Sequence, residues 1–147
     1  MEGFNTDITQ PDLTSDILAP LPCPTNIGPY KIDSLFSKGG MSFLYLGTHP
    51  EKSIPIIIKV LSPKYKKNTE VVDRFLKEAQ IISLSNHPNI IKLHGQGTWD
   101  KGLYIAMEFI QGISLRQFLQ NKSLSTKKAL QIILQVSYAL CHLHSNN

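Results

Sequence analysis

The sequence predicts an α+β fold: a five-stranded antiparallel sheet with one packed helix, followed by the helices of an incomplete second lobe. Three observations carry this. Residues 30–61 hold three apolar runs rich in β-branched and aromatic residues, separated by Gly-, Pro- and Ser-rich interruptions. Residues 70–84 then show helical periodicity, with Val72, Phe75, Leu76, Ala79 and Ile82 on one face. Two further strand-like runs flank Asp100-Lys101-Gly102, and the remaining sequence is helical in pattern.

Taken in order, residues 1–28 are polar, with prolines at 11, 20, 22 and 24, and read as a disordered acidic leader. The domain proper spans 29–147, with one lobe over 29–110 and the start of a second over 111–147. The first strand covers 30–36. The turn Ser37-Lys38-Gly39-Gly40-Met41-Ser42 joins it to a second strand over 43–47. Gly39 and Gly40 free the backbone there to take positive φ and to approach a ligand closely. The third strand, 54–61, contains Lys59 in an otherwise apolar stretch. A buried ammonium is costly unless an anion meets it.

Pro63 ends that strand, and Asn68 is placed to cap the helix that follows. Around this helix, Asp73, Arg74, Lys77 and Gln80 fall on the solvated side, while Glu78 lies at the margin of the apolar stripe. Two arrangements satisfy Glu78: an ion pair with Lys59, or a loose pairing with Arg74 at the helix boundary. His87-Pro88-Asn89 stops the helix. Strands over 90–98 and 103–110 follow, and Gly112 breaks the second of them. Ser114-Leu115-Arg116-Gln117 has the form of a capping box. Ser125 or Thr126 caps a long helix to about His144, apolar on two faces (Leu130, Ile133, Leu134, Leu140, Cys141; Ile132, Val136, Ala139, Leu143). Such a helix is expected to be buried on all sides, as if the chain stopped in the middle of a fold.

Composition narrows the function classes. At 147 residues, 41% hydrophobic and 18% charged, the chain has the make-up of a soluble domain large enough for a core. No apolar run approaches the roughly 18–20 residues of a membrane-spanning helix. Cys23 and Cys141 match no metal or redox spacing, so a reduced, cytoplasmic compartment is expected. The leader carries −4 of a net +4, so +8 falls on the rest. The lysines are spread along the chain without aromatic signatures of RNA binding, so no nucleic-acid partner is expected.

Together these residues resemble a known family. Ser37 to Tyr45 resembles the glycine-rich loop of bacterial-type serine/threonine protein kinases, and Ile56-Ile57-Ile58-Lys59 resembles their Val-Ala-Ile-Lys strand. Arg74-Phe75-Leu76-Lys77-Glu78-Ala79 is similar to the helix that carries the family's glutamate. His87-Pro88-Asn89-Ile90 matches the helix–strand junction, Met107-Glu108-Phe109-Ile110-Gln111-Gly112 the hinge, and Ala139 to His144 the helix leading into the catalytic loop. The likeness covers residues 30–147 and implies a protein-kinase-like fold: the amino-terminal lobe plus the start of the carboxy-terminal lobe.

The resemblance implies ATP as cofactor. Lys59 would hold its α- and β-phosphates and Glu78 would orient Lys59. Ser37, Lys38, Gly39, Gly40, Met41 and Ser42 would fold over the phosphates. Leu44, Ile57 and Met107 would line the adenine slot, and backbone groups of Glu108 and Ile110 would bond the adenine edge.

Two residues depart from the family pattern. Ser37 stands where the loop has its first glycine, and Ile57 stands where alanine faces adenine, which narrows the slot. The catalytic Asp, its Asn and the Asp that holds Mg²⁺ would follow Asn147 in the family. The 147-residue chain by itself is therefore expected to be inactive, with Mg²⁺ bound only if the second lobe is present. The expected function is the ATP-binding part of a serine/threonine protein kinase whose protein substrate is unknown. A pseudokinase or regulatory interaction module is the alternative, and a truncated gene product that aggregates through its last helix is a third. The leader could also serve as the secretion signal of a bacterial effector.

Overall fold

The computed structural model describes residues 23–145. It contains six strands and three α-helices, in the order β1 (Asn26–Ile27), β2 (Tyr30–Lys38), β3 (Ser42–Thr48), β4 (Pro55–Leu61), α1 (Thr69–Leu84), β5 (Leu93–Trp99), β6 (Gly102–Glu108), α2 (Leu115–Asn121) and α3 (Thr126–Ser145). All six strands form one antiparallel sheet in the order β1-β2-β3-β4-β6-β5. The sheet thus has one strand more than the five expected. The extra strand is a two-residue piece at the end of the presumed leader. Ile27 pairs with Tyr30 and is wholly buried, which a two-residue segment cannot announce by periodicity. Residues 1–22 of that leader lie outside the described residues.

Strand β4 is buried on both sides because its alternate residues feed two cores. Ile56, Ile58 and Val60 pack with Ile27, Tyr30, Ile32, Tyr45, Tyr104 and Ala106 on one face. Ile57 and Leu61 pack on the other with Ile105, Met107 and, from α1, Phe75 and Ala79. Lys59 shares the α1-facing side by the same alternation. Helix α1 starts as its sequence predicts: the Asn68 side chain accepts from the Val71 N–H. The expected last strand stops at Glu108, two residues short of Ile110, because its partner position beyond Ile56 is Pro55, which has no N–H to offer the ladder.

The first face curls until β2 meets β5. Tyr30 Oη donates to the His94 carbonyl at 3.2 Å, and the Tyr30 and Tyr104 rings meet edge-on at 5.9 Å. Gly95 makes this approach possible, since a Cβ there would land on Tyr30 Oη.

The two final helices begin as expected but pack differently. Ser114 and Gln117 form the reciprocal capping box of α2, and Ser125 Oγ accepts from the Lys128 N–H at the start of α3. Burial of α3 on all sides is not observed. Only Ala139 is buried, while Leu130, Ile133, Leu134, Val136 and Leu140 remain about half exposed. Among the described residues the cover over these side chains is only partial, short of what the apolar pattern of α3 called for. His142, whose ring stacks at 5.3 Å on His87, ties the helix to the loop after α1.

Candidate functional site

The site forms where α1 crosses the face of β4. Lys59 Nζ donates to both carboxylate oxygens of Glu78, at 2.7 and 2.6 Å. The ammonium also lies 5.8 Å from the centre of the Phe75 ring. Both arrangements open to the sequence are now decided: Arg74 pairs with Glu70 one helical turn away, and Glu78 with Lys59. The pair is only partly shielded, with 21% of the Lys59 side chain and 41% of that of Glu78 exposed. That exposure leaves the ammonium accessible from an adjoining cleft lined by Met41, Ser42, Lys59, Leu61, Phe75 and Glu78. An anion entering this cleft meets a cation already held in place by a carboxylate.

The glycine turn reaches the same cleft through Met41 and Ser42. Strands β2 and β3 run closer to the turn than expected, so Ser37, Lys38 and Ser42 are strand residues and only Gly39-Gly40-Met41 connect them. Gly39 N–H donates to the Ser42 carbonyl at 2.8 Å. Neither Gly39 nor Gly40 takes the positive φ that glycine permits. A Cβ on Gly39 would stand 3.3 Å from the Ser42 carbonyl oxygen, a tight approach, whereas one on Gly40 would meet nothing within 4 Å.

Leu44, Ile57 and Met107 gather on one face of the sheet. Ile57 pairs with Met107 across β4–β6, Leu44 pairs with Lys59 across β3–β4, and all three belong to one apolar cluster. Ile57 and Met107 are each only 8% exposed, so the larger side chain at Ile57 occupies space on this face. Glu108 ends β6. Its N–H donates to the Lys92 carbonyl and its carboxylate accepts from the Lys92 N–H. Ile110 lies past the strand and is exposed.

Sequence reasoning missed Phe36. The register of β2 slips between Leu35 and Ser37, leaving Phe36 as the extra residue of a β-bulge, and bulges re-aim side chains. Its ring meets Phe109 edge-on at 5.9 Å, bridging the strand before the glycine turn and the segment after β6. An exposed aromatic in a strand carries no signal of such a contact.

Comparison with known proteins agrees with this geometry. Residues 32–147 match the family described as protein tyrosine and serine/threonine kinase. The chain belongs to the protein kinase family. It is 35% identical over 120 residues to the serine/threonine-protein kinase PrkC of Bacillus subtilis, covering 81% of this chain and 18% of that protein. It is 30% identical over 115 residues to PknJ of Mycobacterium tuberculosis, covering 78% of this chain and 20% of that one. The crystal structure of the M. tuberculosis PknI kinase domain superposes with a TM-score of 0.73 at 28% identity, covering 85% of this chain and 51% of that domain. The chain thus spans about half of a kinase domain and about a fifth of these curated relatives. The kinase fold and its resemblance to bacterial serine/threonine kinases hold as the sequence predicted, with the sixth strand added.

Proposed function

We propose that this chain is the ATP-binding part of a serine/threonine protein kinase. The observation that carries it is the two-oxygen pairing of Lys59 with Glu78 beside a cleft that Met41 and Ser42, at the end of the glycine turn, help to line. The residues suit a nucleoside triphosphate. Lys59 offers a positioned cation to phosphate oxygens, and the glycine turn offers backbone close to them without side-chain obstruction. Leu44, Ile57 and Met107 supply an apolar surface for a base, and Glu108 and Ile110 backbone groups for its edge. Bound ATP would supply the transferable phosphoryl group. Lys59 and Glu78 would orient it, and Mg²⁺ is assigned to residues of the second lobe.

Isothermal titration of the whole chain with ATP and with inorganic tripolyphosphate tests this. Saturable binding of both, lost in Lys59→Met, is expected. Absence of binding of either ligand would overturn the proposal.

A second reading, a regulatory module that binds partners without phosphoryl transfer, is favoured by the bulk of Ile57 on the adenine side. Phosphotransfer by the protein isolated from its natural source, together with its intact mass, separates the two. Cytoplasmic placement belongs to the same proposal, supported by Cys23 and Cys141 both being free thiols.

A further inference from the structure

The face that would take a base is already covered by the chain's own side chains. Phe109, in the segment after β6, packs against the cluster of Ile57 and Met107, to which Leu44 and Leu46 also belong. Its ring meets that of Phe36 edge-on, at 5.9 Å and 82°. The two rings start far apart, because β3 and β4 lie between β2, which carries Phe36, and β6. Three strand spacings of about 4.8 Å separate β2 from β6 by roughly 14 Å. Rings from opposite ends of that row touch only by leaning towards each other over the strands between. Since Phe109 packs on the α1-facing side, they lean over Leu44, Leu46 and Ile57, and Ile57 pairs with both Leu46 and Met107.

The bulge in β2 frees Phe36 for this contact. It falls between Leu35, opposite Tyr45, and Ser37, opposite Leu44, and so escapes the alternation that fixes its neighbours. Phe36 is more than half exposed and belongs to neither core cluster, so the Phe109 ring is its main anchor. The cleft beside Lys59 is lined by Met41, Ser42, Leu61, Phe75 and Glu78 and by neither ring of the pair. A phosphate chain therefore reaches the Lys59 ammonium with the rings in contact, whereas a planar base must part them first.

We propose that Phe36 and Phe109 set the ligand specificity of this site. In the resting chain they close the base-binding face, and the ligand class accepted is the polyphosphate chain, with the base contributing little. Where only a fraction of molecules has the face open, affinity for a base is lowered by that fraction. Discrimination among bases is weak for the same reason, since the phosphates common to all nucleotides carry the binding. Ile57 fills the face from the sheet side, and the ring pair closes it from the solvent side. The ligand assignment rests on the nucleotide reading, but the ring contact does not.

Calorimetry of the whole chain with inorganic tripolyphosphate, ATP and CTP, unaltered and as Phe36→Ala, tests the assignment. The exposure of Phe36 lets this substitution spare the core. The three ligands are expected to bind the unaltered chain within a few-fold of one another. In Phe36→Ala, ATP binding should strengthen several-fold while tripolyphosphate binding stays level. Weaker ATP binding in Phe36→Ala would show that the ring stacks on the base instead of shutting it out, and would overturn the proposal. ATP affinity far above that of tripolyphosphate in the unaltered chain would overturn it too. The contact is read without ligand by a urea double-mutant cycle of Phe36→Ala and Phe109→Ala, whose combined cost should fall below the sum of the two. Strict additivity there would remove the ring pair. No tripolyphosphate binding in either protein would overturn the nucleotide reading and the ligand assignment with it, while the cycle still decides the contact.

Discussion

Lys59 and Glu78 come from different elements, β4 and α1, and meet through both carboxylate oxygens at 2.6 and 2.7 Å. Their meeting ties the position of a helix to the position of a cation. Lys59→Met removes the charge that would contact phosphate and should weaken tripolyphosphate and ATP binding at least tenfold. Glu78→Gln keeps the shape but loses a charge-assisted pair worth about 1.5–3 kcal/mol, and should weaken both several-fold. Circular dichroism of each variant checks that the fold survives, and titration calorimetry reads the binding. Unchanged affinity in Lys59→Met would remove Lys59 from the site.

Ile57 should move stability and affinity in opposite directions. It is 8% exposed in the cluster with Met107 and Phe75, so Ile57→Ala should cost roughly 2–5 kcal/mol of stability. The same substitution clears the face on which adenine would lie, and ATP affinity should rise while that of tripolyphosphate stays level. Urea titration and calorimetry on the same sample read both. Submillimolar ATP affinity in the unaltered chain, with no gain in the variant, would show that Ile57 does not narrow the slot.

Gly95 and Tyr30 should behave as a coupled pair. A methyl at position 95 would collide with Tyr30 Oη, so Gly95→Ala should destabilise by about 1–3 kcal/mol. Tyr30→Phe removes the hydroxyl, losing about 1 kcal/mol with the bond to the His94 carbonyl. In the double variant the collision is gone, and the combined cost should fall below the sum of the two. A strictly additive cycle in urea would contradict the close approach.

His94 should make the lobe sensitive to mild acid. Burial first, then the positive charge of Lys52 and then His49, hold its pKa below the ordinary 6.5; Glu108 pulls it upward and Lys92 adds the weakest downward push. The unfolded chain then binds the proton more readily than the folded one, so stability rises with pH in this window. The contribution is full above about pH 6.5 and is lost as the pH falls through the lowered value. The urea midpoint should drop between pH 7.5 and 5, and His94→Gln should flatten that drop. An equal drop in the variant would place the effect elsewhere.

Much of this was legible in the chain because local chemistry and tertiary structure agree. Asn68 and the Ser114–Gln117 box cap the helices they were expected to cap, whereas the place of Glu78 on the helical wheel left Lys59 and Arg74 both open and only the structure decides for Lys59. The six-strand sheet was less legible, since Ile27 enters the core through contacts with β2 rather than through any pattern of its own. Phe36 was missed because a β-bulge interrupts the alternation that would assign its face. The glycines of the turn leave the backbone free to take positive φ, yet composition reveals only what a backbone is permitted, and neither Gly39 nor Gly40 takes it. The two-faced apolar pattern of α3 called for cover on every side, and pattern alone cannot say which surface provides it.

The curl that sets Tyr30 over Gly95 also governs how this lobe meets copies of itself. An open sheet edge is a template for adding strands, the route to fibrils. Here one edge is β1, two residues long, and at the other the His94 carbonyl within β5 is already taken by Tyr30. Both edges are thereby interrupted as templates. The half-exposed leucines and isoleucines of α3 offer the stickier surface, so crowded samples should cluster through helix side chains, giving amorphous assemblies that stain poorly with amyloid dyes.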